Sequence, residues 1–272
     1  MPQLRPISVL TIAGSDSGGG AGIQADLKTF AAHGLHGLSA IAALTAQNTR
    51  AVTAVNVPPV EFLRAQVDAC FADFHIGAVK LGMLASTEVI HGVADALEVH
   101  RPAHIVLDPV MVATSGAKLL ADDALDALRT RLLPLASVVT PNIPEAELLL
   151  GRGIRTDDDA ERALAQMLAE GARAVLLKGG HLPGEGEMTD RFGHDHARAV
   201  FTHPRLPVEG HGTGCTLASA IAANLALGLD LREACADATD YVHGALRHAY
   251  RPGHTPVAVL QHFWRLRGDV AP

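Results

Sequence analysis

The chain has 272 residues, 48% hydrophobic and 19% charged, enough to bury a sizeable core. The formal net charge of -7, scattered Lys and Arg and only 4% aromatic residues exclude a nucleic-acid surface built on basic runs and stacking platforms. No apolar run approaches the ~20 residues needed to span a bilayer, and Cys70, Cys215 and Cys235 fit neither a disulfide framework nor a paired metal spacing. A soluble protein of a reducing, cytoplasmic compartment is expected, with no signal peptide, because the chain enters a strand by Ile7 without a charged leader.

In chain order the patterns predict a strand over 7–13, a helix over 21–33, strands over 37–44 and 52–57, and a helix over 58–71. A strand over 78–81, a helix over 87–100, a strand over 104–107, a helix over 122–131 and a strand over 137–139 follow. Then come helices over 143–149 and 157–170, strands over 174–177 and 199–202, and helices over 213–226, 231–249 and 256–265. Strand-then-helix repetition implies right-handed crossovers and parallel pairing, hence an α/β fold with a central, mostly parallel sheet. Ile105-Val106-Leu107 and Ala174-Val175-Leu176-Leu177 are apolar on both faces, which suits central strands covered on both sides. Pro58-Pro59 sets a first helical turn, Thr156 caps a helix opened by three aspartates, and Gly34 and Gly171 sit at helix ends. No linker or repeat interrupts the chain, so one domain is expected over 1–272, with its core about 7–265. The polar stretch 182–197 reads as a disordered loop, a hairpin or a flap. His194-Asp195-His196 within it reads as a solvated loop rather than a ligand set.

Candidate chemistry lies at C-terminal strand ends, where open α/β sheets bind ligands. The most informative motif is His211-Gly212-Thr213-Gly214-Cys215, two glycines in a turn that opens an apolar helix. Unpaired amides and the helix dipole point the same way there, which makes an anion site beside a thiol. The first strand ends in the glycine loop Gly14–Gly22, which is neither a P-loop nor a clean G-x-G-x-x-G, and Asp26 follows one turn into the next helix. Thr45-Ala46-Gln47 ends the second strand. The Gln47 amide either complements an aminopyrimidine edge or satisfies loop backbone. Met83 packs either on a flat ring or in the core. Asp108-Pro109-Val110 closes the most apolar strand. Asn142 and Glu145 sit where a turn enters a helix, near a prospective Mg²⁺ that takes few protein carboxylates, with Asp108 alongside. Lys178-Gly179-Gly180 places a cation at another strand end, suited to phosphate.

Taken together, Ala13–Thr29, Ala46-Gln47-Asn48-Thr49, Lys80-Leu81-Gly82-Met83-Leu84, Asp108-Pro109-Val110-Met111, Thr140-Pro141-Asn142, Leu177–His181 and His211–Cys215 resemble the hydroxymethylpyrimidine and phosphomethylpyrimidine kinases of thiamine biosynthesis, in the ribokinase-like superfamily. The resemblance implies a ribokinase-like three-layer α/β/α fold, usually as a homodimer. It also implies two successive ATP-dependent phosphorylations, first of 4-amino-5-hydroxymethyl-2-methylpyrimidine and then of its monophosphate. By position it implies Gly14, Asp26, Thr45, Gln47, Met83 and Val110 around the pyrimidine. Asn142, Lys178, Gly180 and His211 would serve phosphate and nucleotide, and Asp108 and Glu145 would serve Mg²⁺. Gly212, Thr213 and Gly214 would form the anion hole, with Cys215 as base, its thiol pKa lowered by the helix N-terminus. Many superfamily relatives carry aspartate where Cys215 stands. The family commonly has threonine where Gly210 stands, which implies a looser turn here. Competing readings are a pyridoxine or pyridoxal kinase of the same superfamily and a non-catalytic nucleotide- or pyrimidine-binding module.

Overall fold

The structure is a computed structural model that describes residues 6–112, 119–121 and 123–266. The chain runs β1 (Ser8–Gly14), α1 (Gly22–Ala32), β2 (His36–Gln47), β3 (Val52–Asn56), α2 (Val60–Asp73), β4 (Ile76–Leu81), α3 (Thr87–His100), β5 (Ile105–Leu107) and α4 (Ala124–Ala127), which continues into a π turn (Leu128–Leu132). It goes on through β6 (Val138–Val139), α5 (Ile143–Leu150), α6 (Asp157–Ala169), β7 (Ala174–Leu177), β8 (Glu187–His194), β9 (Ala197–Pro204), β10 (Gly210–His211), α7 (Thr213–Ala226), α8 (Leu231–Arg247), β11 (Ala258–Val259) and a final 3₁₀ turn (Trp264–Leu266).

One nine-stranded sheet has the order β3-β2-β1-β4-β5-β6-β7-β8-β9. From β2 to β7 neighbouring strands are parallel; β3 at one edge and β8 and β9 at the other pair antiparallel. The chain leaves β1 first for β2 on one side and later for β4 on the other. The strand order therefore reverses between β1 and β4, which opens a crevice at their C-terminal ends. Gly14 N–H donates to the Met83 carbonyl at 3.0 Å across that point.

Alternation along the strands explains why their sequences are apolar throughout. Leu10, Val79, Leu107, Val139 and Leu177 face one layer with α2, α3, α5 and α6, whereas Val9, Ala78, Val106, Val138 and Leu176 face the other with α7 and α8. Helix α7 is buried on all sides, and its run of alanines lets it lie close on β4 and β5.

The structure departs from the sequence reading in two places and decides an open one. Stretch 182–197 takes the hairpin alternative: β8 pairs with β9 from Glu187↔Pro204 to His194↔Ala197. Its inward polar residues hid the strand. Asp190 accepts from Gly179 N–H at 2.8 Å, and Arg191 binds Glu161 at 2.9 Å. The helix expected over 256–265 is instead β11, an irregular stretch and the 3₁₀ turn. Ala258 and Val259 pair with Gly210 and His211, and Val259 also bridges to Tyr250. Tertiary pairing wins there over a short helical pattern. The helix expected over 122–131 begins at Ala124 and ends in the π turn; Asp122 lies outside the described residues.

A buried polar knot fastens both layers. Lys80 Nζ on β4 lies 2.9 Å from both oxygens of Asp26 on α1. Thr11 on β1 donates to Asp26 Oδ2 at 2.6 Å, and Ser219 on α7 donates to Oδ1 at 2.7 Å. All four side chains are fully buried. Burial raises the Asp26 carboxyl, yet every group around it donates, a pattern that only the carboxylate accommodates. Burial alone would strip the Lys80 charge, but Asp26 more than restores it. Lys80→Met leaves Asp26 buried without its cation and is expected to cost about 3–5 kcal/mol. Pairing it with Asp26→Leu should recover most of that loss, read from urea midpoints. A single variant as stable as the parent chain would show that the pair bears no structural weight.

Candidate active site

The motif at residues 211–215 forms the turn that opens α7. Gly212 is the N-cap at φ 85°, a left-handed conformation that favours glycine. A Cβ there would also overlap the Gly20 carbonyl, so the glycine loop lies directly on this turn. Thr213, Gly214 and Cys215 follow in the first helical turn, where backbone N–H groups have no intrahelical acceptor. Gly210 pairs in register with Ala258, whose N–H donates to the Glu209 carbonyl at 2.9 Å, and a Cβ on Gly210 would come 2.6 Å from a Leu246 methyl carbon. The turn is therefore braced by β11 and packed tightly, which corrects the expectation of looseness.

A charged cluster abuts the turn. A Cβ on Gly214 would stand 3.1 Å from Lys178 Nζ and 3.5 Å from Asp108 Oδ2. Lys178 Nζ is 3.2 Å from Asp108 Oδ1 and 3.8 Å from Glu145 Oε2. The strand ends set these positions: Asn142 and Lys178 form a parallel bridge, and Lys178 N–H donates to Pro141 O at 2.9 Å. Asn142 and Glu145 form a reciprocal capping box on α5, with bonds of 2.9 and 2.8 Å. Burial opposes the Lys178 charge, but Asp108 and Glu145 hold it above the ordinary lysine range. Burial pushes the Glu145 carboxyl up to about 7; Lys178 opposes this and Asp108 adds to it. Gly180 lies outside this cluster, exposed in the turn after β7, where its carbonyl accepts from Arg205 at 2.8 Å.

The thiol corrects another expectation. Cys215 is half-buried, and burial pushes it up to about 11. Lys80 and a hydrogen bond from Gly22 N–H pull it down, while Asp26 and Asp108 push it further up. Enclosure and two nearby carboxylates thus outweigh Lys80 and the Gly22 amide.

On the other side of the turn lie the residues expected around a ring. A Cβ on Gly14 would come 2.9 Å from Met83 Sδ, so the bare glycine lets the thioether lie flat over the end of β1. Thr45 is buried and Gln47 half-buried at the end of β2. Val110 is half-buried just past β5. The Asp26 side chain does not join them: it is fully buried in the knot below, with both oxygens occupied. His211 stands on this side rather than over the phosphate cluster, with Nε2 3.0 Å from Asp16 Oδ2 and 3.3 Å from Gln47 Nε2.

Asp16 was not singled out by the motifs. It accepts from Gly18, Gly20 and Ala21 N–H at 2.8, 3.0 and 2.9 Å, so a carboxylate organises the glycine loop. Burial alone would raise it, but the bonds from His211, Ala21 and Gly18 hold it below the usual range. An aspartate two residues before glycines is the visible signal of such a turn. Lys80 inside an apolar strand was a comparable signal, since a buried lysine needs a partner.

Among the described residues, no helix is long and apolar enough to cross a membrane. No group of three or more His, Cys, Asp or Glu side chains is placed to hold a metal ion there.

Comparison with known proteins identifies the family. The phosphomethylpyrimidine kinase family model matches residues 16–259. A hydroxymethylpyrimidine/phosphomethylpyrimidine kinase of Rhizobium meliloti (strain 1021) is 50% identical over 262 residues, 94% of this chain and 98% of the relative. The crystal structure of a phosphomethylpyrimidine kinase from Clostridium difficile 630 is 44% identical, with a TM-score of 0.78 over 87% of this chain and 98% of that one. An ADP complex of Bacillus subtilis pyridoxal kinase is 32% identical, with a TM-score of 0.88 over 96% of this chain and 99% of that one. The chain is a kinase with the ribokinase-like α/β/α fold, and it belongs to the phosphomethylpyrimidine kinase family.

Proposed function

We propose that this kinase transfers the γ-phosphoryl group of ATP to the hydroxymethyl oxygen of 4-amino-5-hydroxymethyl-2-methylpyrimidine. It then phosphorylates the resulting monophosphate, giving the pyrimidine diphosphate for thiamine biosynthesis in the cytoplasm. The observation that carries this reading is the meeting, at one helix N-terminus, of an anion turn, a lysine and two carboxylates on one side with a Gln–Met–Gly ring site on the other.

Phosphoryl transfer proceeds through a loose transition state, so positioning and charge neutralisation dominate. The amides of Gly212, Thr213 and Gly214 receive the migrating phosphoryl group, and Lys178 balances its charge. The donor set fits Mg²⁺: two carboxylates flank one lysine, and a metal that keeps its waters and phosphate oxygens needs no larger protein cage. Asp108 and Glu145 would hold the ion, directly or through water, and when bound it neutralises phosphate oxygens. Cys215 accepts a hydrogen bond from the attacking hydroxymethyl group. The substrate proton departs late, once the new O–P bond has reduced the oxygen's basicity, and ends on an oxygen of the transferred phosphoryl group. A pre-formed thiolate is not required.

The assembly proposed is a homodimer. The outer edge at β2, β3 and α2 leaves Leu44, Val55, Val57 and Phe62 exposed, an apolar flank suited to a second copy. The similarity to pyridoxal kinase keeps a second reading in view, phosphorylation of pyridoxal.

An ADP-release assay across the pyrimidine, its monophosphate and pyridoxal tests the substrate. Turnover of both pyrimidines, with kcat/KM at least about tenfold above pyridoxal, is expected; the reverse order would overturn the assignment. Cys215→Ala should lower kcat by about a hundredfold while ADP binding, followed calorimetrically, persists; near-normal turnover would remove the thiol from the reaction. In the free enzyme at pH 8, Cys215 should react with iodoacetamide roughly a hundredfold more slowly than a thiol of ordinary pKa near 9, gaining about tenfold per pH unit toward 11. A rate already flat at pH 8 would show an ionised thiol.

A further inference from the structure

We infer that His211 and Thr45 are positioning residues that orient the Gln47 amide, and that this orientation sets the preference for an amino-substituted ring. The inference rests on the pyrimidine substrate proposed above.

The argument follows the hydrogens. Gln47 Nε2 lies 3.3 Å from His211 Nε2, and Gln47 Oε1 lies 3.1 Å from Thr45 Oγ1. His211 Nε2 also faces Asp16 Oδ2 at 3.0 Å. That carboxylate only accepts, so the imidazole nitrogen must carry the hydrogen and has no lone pair for an amide donor. Thr45 has one hydroxyl hydrogen, and its shorter bond, 2.7 Å, runs to the Ser15 carbonyl. It therefore presents lone pairs to Gln47. In that arrangement the amide sets donor against donor on one side and acceptor against acceptor on the other. Turning the amide by half a turn relieves both: Oε1 shares the His211 N–H with Asp16 Oδ2 in a three-centre bond, and Nε2 donates to Thr45.

The rest of the neighbourhood holds the pair in place. Ser17 Oγ accepts from Gln47 N–H at 2.8 Å and donates to Gln47 O at 2.7 Å, which pins the residue's backbone. Asp16 is locked by the glycine-loop amides, and a Cβ on Gly20 would come 2.6 Å from His211 Cδ2, so the ring lies flat on the loop. With its outer positions occupied, the amide keeps one Oε1 lone pair and one N–H side by side. That edge matches a ring nitrogen next to an exocyclic amine, which offers an acceptor beside a donor. A ring without the amine leaves Oε1 facing no donor. Asp16, His211 and Thr45 thus act on specificity through Gln47 without touching the ring.

The test compares 4-amino-5-hydroxymethyl-2-methylpyrimidine with its analogue lacking the 4-amino group, reading kcat/KM by ADP release. The quantity is the preference, the ratio of the two values. Gln47→Leu and His211→Leu should each lower it about tenfold. The double variant should lose no more than Gln47→Leu alone. His211→Gln, which can place an amide N–H near the same point, should keep most of the preference. Thr45→Val, removing the acceptor for Nε2, should lower it, and provides a second route should His211→Leu fail to fold. An unchanged preference in His211→Leu, or losses that multiply in the double variant, would overturn the inference while leaving the substrate assignment standing. A merely structural role for His211 would slow both substrates alike and overturn it too. Failure of the parent enzyme to phosphorylate either pyrimidine would instead bring down the substrate assignment, and the inference with it.

Discussion

The buried ion pair of Asp26 and Lys80 is the interaction on which the site's geometry depends. It joins α1 to β4 directly, and through the Thr11 and Ser219 hydroxyls it also takes in β1 and α7. Ser219 lies one helical turn beyond Cys215. Fixing Ser219 against the sheet fixes the height and rotation of the helix N-terminus above it. A hydrophobic contact in the same place would hold α7 down but would leave it free to slide. Directional bonds to one carboxylate define a single register, a use of buried charge that serves geometry more than net stability.

Above that knot, the active site is assembled by close backbone approach. Gly212 and Gly20 meet where no side chain fits, Gly14 makes room for Met83, and Gly214 for Lys178. The Lys178 cluster and the Gln47 side are therefore two faces of one turn. Their charges are arranged differently. On one face Lys178 is shared by Asp108 and Glu145. On the other Asp16 is saturated by backbone donors and His211, which favours a fixed hydrogen-bond pattern over a mobile one.

Much of this was legible before the coordinates. Alternating apolar runs and helical spacings locate the parallel strands and most helices, because burial on both sheet faces demands apolar residues at every position. The motifs at Gly212–Cys215, Asp108, Lys178 and Glu145 pick out residues that the fold brings together at one turn, because a glycine turn opening a helix and charged strand ends are local features. The hairpin at β8 and β9 was legible only as one of three alternatives: its buried positions hold Asp190 and Arg191, satisfied by residues distant in the chain. Residues 256–265 were misread because a two-residue pairing with β10 overrides a weak helical pattern.

The sequence by itself determined the fold class, the order of most elements, the family and the residue types at each strand end, since these follow from periodicity and local motifs. Only the tertiary structure decided that Asp26 belongs to the scaffold, that His211 faces Gln47, and that enclosure pushes the Cys215 thiol up. Each of these depends on which groups become neighbours across long separations in the chain, such as Asp16 with His211 or Asp26 with Ser219. Electrostatics and hydrogen bonding fall off within a few ångströms, so such roles exist only once folding has brought the partners together.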